Sequence, residues 1–582
     1  MRASQSIPEV SRRPFDPVWL ALPGVVLLLL LVLVPCLRVL TLSVQDSATG
    51  ALSIDAFHRA LATPIYLRVL GNTFSIAFYT TVLCLVFGYP LAYWLARQPA
   101  RRRPALVMLV LFPFWTGALV KSFIWIVVLG QSGPIAQLFH LLGRTKAPDL
   151  LFSRATVVLV MAHTMLPLAV ITMLPTMLSL DRNPSRAAAT MGADAGEAFW
   201  RITFHTTLPG VAATGLLVFI GSLGFFITPA LVGSRRDTVL AQIIIDQIMS
   251  QQAWAFAGAL SAMLIGAALV SCIAYDLVFG LSSLGGDARR RASHTLVHRC
   301  GMSLLRLLGR ATSLLWRLTG ECAWLGRLLD GYAIALIVLL LVPIIVCVPM
   351  AFSSADFLSV PTPGFSLRWL KVFFASETWI HAMLNSFVIG IATAVLTLVV
   401  SGLAALGVAR SRRAASRAVF LLFLSPVMIP HVVIAIGLFY LFAPAGLIAT
   451  RTGIALGHTV VATPLVFTIL LGQLKQYDWR LNQASETMGA RSLYTLRRIM
   501  LPMLKGGLFA ALIFAFLSSF EELTISLFIG GGICVTLPRK MWDDINLQFS
   551  PALAAASVIV LAVVAVLFLI GEKLRPRERT RA

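Results

Sequence analysis

Two adjacent carboxylates, Glu521 and Glu522, stand inside an otherwise apolar stretch long enough to cross a bilayer. An acid at mid-membrane costs about 2.5–3.5 kcal/mol on insertion scales, so the pair needs a reason. One reason is attraction of a cation, to which the aromatic faces of Trp115, Phe114, Trp125, Phe439 and Tyr440 would add cation–π contacts. The other is structural, a carboxylate bonded to a neighbouring helix; the residues alone leave both open. Helical neighbours point about 100° apart, so at most one of the two faces a pathway squarely. Asp543 and Asp544 in the next loop would either receive a cation or carry solvated charge. Lys121, in an outer part of an apolar run, opposes a cation unless it snorkels outward. His163 and His458 each precede a threonine; without further ligands at metal spacing they read as hydrogen-bonding ties between helices. HExxH, GxSxG and clustered carboxylate motifs are lacking, which argues against an enzyme.

The surroundings of these residues set the class. Of 582 residues, 58% are apolar and 12% charged, and the mean hydropathy is +0.88. Soluble domains carry about 25% charged residues, so the composition is that of an all-α integral membrane protein. The net charge of +23 does not signal nucleic acid, because the arginines sit in short clusters between apolar runs, as the positive-inside rule expects. The seven cysteines show no CxxC spacing, so neither a disulfide framework nor a zinc site is indicated. The run 18–40 is too long for a signal-peptide core and reads as an uncleaved first span.

Twelve spans are expected, near 18–40, 69–96, 105–129, 154–180, 210–232 and 254–281, then 331–351, 381–409, 418–443, 458–474, 506–529 and 550–572. Placing Arg97, Arg101–Arg103, Arg289–Arg291, Arg410–Arg417 and the basic tail on one side puts both termini in the cytoplasm. The two sets of six are copies. Asn72-Thr-Phe answers Asn385-Ser-Phe at an offset of 313, and Thr190-Met-Gly-Ala193 answers Thr487-Met-Gly-Ala490 at an offset of 297. Six spans per copy return the chain to its starting side, so the repeats are parallel and a pathway on their shared axis follows. The organisation expected is a tail at 1–17, a first membrane domain at 18–281, a basic linker at 282–330, a second membrane domain at 331–574 and a tail at 575–582. Within the linker, Ser303–Leu329 reads as an amphipathic helix lying on the inner lipid surface or as an ordered connector.

Each domain carries a polar loop before its fifth span, at 181–209 and 475–505. In the second, Gln483–Met488 favours a short helix, Gly489 a left-handed stop, and Ser492 the start of a second helix. Small residues (Ala187, Ala188 and Ala189; Ala484 and Ser485) would let a partner's groove approach the backbone. The loop resembles the "EAA…G…LP" segment of ATP-binding cassette importer permeases at Gln483-Ala484-Ser485, Gly489 and Leu501-Pro502. The first copy matches at Arg186-Ala187-Ala188 and Gly192, with His205 in place of the proline and neither copy carrying the first-position glutamate. The resemblance implies the type I importer permease fold and a coupling helix on each half, seated in a homodimer of ATPase subunits. It also implies a periplasmic or lipid-anchored binding protein, residence in a bacterial inner membrane, and no second permease chain. This chain has no GxxxxGK[ST] and needs no cofactor of its own; ATP and magnesium belong to the partner.

Leu223-Gly-Phe-Phe-Ile-Thr-Pro-Ala-Leu-Val-Gly233, Ser519-Phe-Glu-Glu-Leu523 and Thr536-Leu-Pro…Lys540-Met-Trp542 are similar to the spermidine/putrescine-type permeases. That likeness implies a polyamine cargo, and the residues that could lie along its path, from their own chemistry, are Glu521, Glu522, Trp115, Trp125, Tyr440 and Asp543. His431 departs from it, standing where some members carry a glutamate, and the first half offers only Gly224 and Phe225 opposite Glu521 and Glu522. Aminoalkyl phosphonates, other amino compounds and ferric iron remain alternative cargoes. An ion-coupled secondary transporter, a different class, would work without ATP and without docking loops.

Overall fold

The computed structural model describes residues 16–46, 50–143, 149–181, 183–279, 323–357, 360–411, 414–547 and 550–574. Among these the chain is helical, with two isolated β-bridges, Gln45–Leu52 and Ser353–Phe365. Eleven helices are long and apolar enough to span a bilayer, and one bent pair makes twelve. The long second spans, Pro64–Arg97 and Glu377–Arg410, form the backbone of each half and pack on the fourth, Arg154–Leu178 and Arg451–Gln476. The Ser303–Leu329 amphipathic segment lies outside the described residues up to 322; from Ala323 it is already the seventh span, Ala323–Ala351.

Four expected spans are not continuous. The third spans run Arg103–Leu111 with a tight turn Phe112–Trp115, then Ala118–Leu129, and in the second half Ala414–Met428, then His431–Phe442 with a bend of 102°. The fifth spans run His205–Leu223 then Ile227–Val232, and Leu501–Phe520 then Thr524–Ile529. Periodicity reads such breaks poorly, because the residues on both sides stay apolar. The fifth spans also begin earlier than hydropathy suggests: their helices reach back into the polar loops, as Gly196–Leu223 and Ser492–Phe520.

The halves exchange their first spans. The first span of the chain, Pro17–Leu42, packs on the second half, against Glu377–Arg410 and His431–Phe442, as well as on its own half's sixth span, Trp254–Phe279. The seventh span packs on its own half's last span, Ala552–Leu574, and back on the first half, where Trp94 Nε1 donates to Asp330 Oδ1 at 2.6 Å and the Tyr332 hydroxyl donates to the Phe87 carbonyl at 2.8 Å. Neither half therefore completes its own core. Cutting the linker near Gly285 and expressing both pieces together is expected to restore a functional complex. Either piece alone is expected to be degraded or to elute as aggregate by size-exclusion chromatography.

Candidate functional site

The polar loops fold as two matched knobs. In the second, Arg480–Thr487 ends at Met488, and Gly489 takes φ +80°. The Gly489 N–H donates to Glu486 O at 3.0 Å and the Ala490 N–H to Ser485 O at 3.0 Å, a left-handed helix stop. The first knob repeats it: Asn183–Thr190, Gly192 at φ +86°, and Ala193 N–H to Ala188 O at 3.0 Å. Arg186, Ala187, Gln483 and Ala484 are exposed. Ala188 and Ser485, expected to face a partner, are instead buried inside their knobs. Ser485 Oγ bonds Thr495 Oγ1 at 2.8 Å, tying the two short helices together. The outermost apolar side chains are Met191 and Met488, 81% and 86% exposed. At the knob's base the Tyr477 hydroxyl donates to Asn482 Oδ1 at 2.6 Å; burial and the neighbouring Asp478 charge push this phenol up, so it remains a donor.

Ser492 is the first helical residue and Arg491 the N-cap, so the hydroxyl does not cap as expected. From there one helix of 29 residues runs from the knob to Phe520, about 40 Å at 1.5 Å per residue. A π-helical turn interrupts it at Leu496–Met500 and again at Phe199–Phe204 in the first copy. The first copy has His205 where the second has Pro502, so the proline does not cause the turn. Beyond it, Gly507 and Gly210 allow close helix approach: a Cβ there would lie 2.6 Å from Gln473 Cγ and 2.3 Å from Thr176 Oγ1.

At the far end of these helices the four breaks meet. A Cβ on Gly117 would lie 3.8 Å from Glu521 Cγ, and one on Gly224 would lie 3.0 Å from Pro430 Cα. These two contacts are counterparts, each bringing a third-span break of one half against the fifth-span break of the other. Broken helices facing one another near the middle of parallel repeats are the usual setting of a transporter's substrate site.

The two glutamates divide the roles. They lie at the break, not within a continuous helix, so the 100° argument does not apply to them. Glu522 is buried and accepts from Thr524 N–H at 3.1 Å and Ile525 N–H at 2.8 Å, capping the helix Thr524–Ile529. His458 Nε2 sits 3.5 Å from Glu522 Oε2, and its ring also bonds Ser519 Oγ at 2.7 Å and Ser526 Oγ at 3.2 Å. Glu521 has neither a cap to make nor a histidine. It retains exposed surface, while its Oε1 is buried without a hydrogen-bond partner. His431, at the neighbouring break, is exposed. Both residues lie where a third-span break of one half faces a fifth-span break of the other.

The aromatic candidates are packed. Trp115 packs at 4.1 Å on Phe568 in a tilted contact and meets Phe514 edge-on at 5.2 Å. Trp125 meets His163 at 5.4 Å, and Phe439 and Tyr440 both pack on Trp254 at 5.0 Å. Asp543 and Asp544 lie on a helix, Leu537–Leu547, not in a loop; Arg539 Nε holds Asp543 at 2.9 Å and Lys540 Nζ holds Asp544 at 2.7 Å. Lys121 does not snorkel: it is 2% exposed.

Sequence reasoning missed a pair of clamps on the face opposite the knobs. Asn385 Nδ2 donates to Val535 O at 3.0 Å, Arg451 Nε donates to Asn385 Oδ1 at 2.9 Å, and Leu537 N–H donates to Ser386 Oγ at 2.7 Å. In the first half Asn72 bonds Arg236 O at 2.7 Å, Arg154 bonds both Asn72 and Asp237, and Leu240 N–H donates to Thr73 Oγ1 at 2.9 Å. The signal was present in the repeated Asn-Thr and Asn-Ser pairs, which marked the repeat without revealing their partners.

Comparisons with known proteins agree with this architecture. The chain is 30% identical over 210 residues to the spermidine/putrescine transport system permease protein PotB of Salmonella typhimurium (strain LT2), covering 36% of this chain and 73% of that one. It is 26% identical over 258 residues to PotC, a permease protein of the same kind of system from Escherichia coli (strain K12), covering 44% of this chain and 97% of that one. A solved bacterial ABC transporter involved in alginate import matches 43% of this chain and 95% of its own at 15% identity, with a TM-score of 0.32. A single family model, the binding-protein-dependent transport system inner membrane component, matches twice, at residues 88–283 and 397–580. With that domain in each half and about two thirds of its length matched, the chain belongs to the family of inner membrane components of binding-protein-dependent transport systems.

Proposed function

We propose that this single chain forms the whole translocation pathway of an ATP-binding cassette importer for a small cationic amine, with putrescine or spermidine leading. The observation that carries the reading is mechanical. Each exposed knob is the start of a helix whose other end is the central break, so a displacement at one end is delivered to the other. Two ATPase subunits, docking on Arg186–Gly192 and Gln483–Gly489, supply that displacement when they close on ATP and magnesium. A binding protein delivers the cargo on the opposite face, and both termini lie in the cytoplasm. The chain itself does no bond chemistry.

The polyamine assignment is supported by the relatives' names and by Glu521, a carboxylate at the break whose Oε1 has no hydrogen-bond partner. A buried acid favours a cation where it lacks an internal hydrogen bond. The test is reconstitution with the cognate ATPase and binding protein, asking which ligand-loaded binding protein stimulates ATP hydrolysis. Stimulation by the putrescine- or spermidine-loaded form is expected. Stimulation only by an anionic or neutral ligand would reject the cation reading, and transport driven without ATP would reject the importer.

A further inference from the structure

Lys121 is among the largest side chains fully enclosed in the protein, and nothing in the pathway so far accounts for it. It lies on the first half, one helical turn beyond Gly117, with its N–H bonded to the Gly117 carbonyl at 3.1 Å. Residues four apart share a helix face. Gly117 is the residue whose face meets Glu521 of the second half, so Lys121 is on the same side, one turn further from the knobs. The two side chains thus belong to facing surfaces of the two halves, and neither a hydrogen bond nor a direct ion pair joins them among the described contacts. Ser122, the next residue, fixes this helix to the outer piece of the first half's fifth span through Thr228 Oγ1 at 2.8 Å. Thus the ammonium is held by rigid elements, on the outer side of a carboxylate whose Oε1 is without a hydrogen-bond partner.

We propose that Lys121 is the resident counter-ion of Glu521, an internal ammonium that closes the pathway from the face opposite the knobs and is displaced when that face opens. An enclosed lysine is strongly disfavoured unless an opposite charge compensates it, and Glu521 is the acid that lies against Gly117, one turn before Lys121. The partners belong to different halves, so separating the halves at this level pulls the charges apart. Their attraction therefore favours the state that is closed on the outer side, and a ligand or motor must supply the difference. The inference rests on the pathway reading of the central break but not on the identity of the cargo. If the cargo is an amine, its ammonium takes the place that Lys121 vacates.

The test uses the full chain with its ATPase subunits in lipid nanodiscs, without binding protein or cargo. Lys121→Met is expected to raise basal ATP hydrolysis at least about fivefold, because the outward-opening state no longer has to break the attraction. The exchanged pair, Lys121→Glu with Glu521→Lys, is expected to return basal hydrolysis close to wild type. The doubly neutral pair, Lys121→Met with Glu521→Gln, is expected to stay high and serves as the comparison should the single variant fail to assemble. Basal hydrolysis at wild-type level in an intact Lys121→Met or doubly neutral complex would overturn the proposal. So would an exchanged pair as active as the neutral one, since that would make the effect steric. Failure of the amine reading would appear separately, as absent stimulation by putrescine- or spermidine-loaded binding protein with these basal values unchanged.

Discussion

Replacing Gly489 by proline is expected to abolish stimulation of ATP hydrolysis by loaded binding protein while leaving the membrane domain folded. Gly489 holds φ +80°, whereas proline is locked near −65° and has no N–H to give to Glu486. Space is not the obstacle, because nothing lies within 4 Å of where a Cβ would sit. Gly489→Ala therefore isolates the conformational cost, about 1–2 kcal/mol for a left-handed L-residue, and is expected to weaken coupling rather than remove it. A glutamate at exposed Ala484 tests the docking face without touching the turn, and the same loss of stimulation is expected. Normal stimulation of the Gly489→Pro complex, with assembly verified by size-exclusion chromatography, would remove the coupling role from this knob.

The second large effect is a contrast between neighbours. Glu521→Gln is expected to lower thermal stability, because the enclosed Lys121 loses its compensating charge, and to reduce transport of a cationic cargo at least about tenfold in complexes that still assemble. That is the loss of one charge-assisted contact worth roughly 1.5–3 kcal/mol. Glu522→Ala is expected to act on yield and stability, because it strips acceptors from Thr524, Ile525 and His458 inside the protein. Each orphaned group costs about 1–3 kcal/mol, read as a lower unfolding temperature in detergent. Equal transport by Glu521→Gln and wild type would retire the cation site. Equal stability of Glu522→Ala and wild type would retire the cap.

Much of this architecture is written in composition and spacing. Hydropathy locates twelve apolar runs, and the offsets of 313 and 297 relate the halves, because both depend on local residue type. The left-handed stop at Gly489 was legible because few other residues tolerate that turn. What was not legible depends on partners far apart in the chain. Glu521 and Glu522 are chemically identical, and only the break at Phe520 assigns one to the cap and leaves the other with an oxygen that no group bonds. Trp115 and Tyr440 looked like lining because aromatic residues serve packing and cation binding equally well, and here Phe568 and Trp254 claim them. Lys121 was read as opposing a cation unless it snorkels outward, and its enclosure depends on packing that its own helix does not reveal.

The exchange of first spans has a consequence for biogenesis. When the ribosome has made the first 280 residues, the helix Pro17–Leu42 has Trp254–Phe279 to pack on but still lacks Glu377–Arg410 and His431–Phe442. An unfinished chain must therefore hold this helix with part of its packing surface uncovered until about three quarters of translation is over, a state that quality-control proteases can recognise. Once complete, the molecule is interlocked, and no half can leave without unthreading the other.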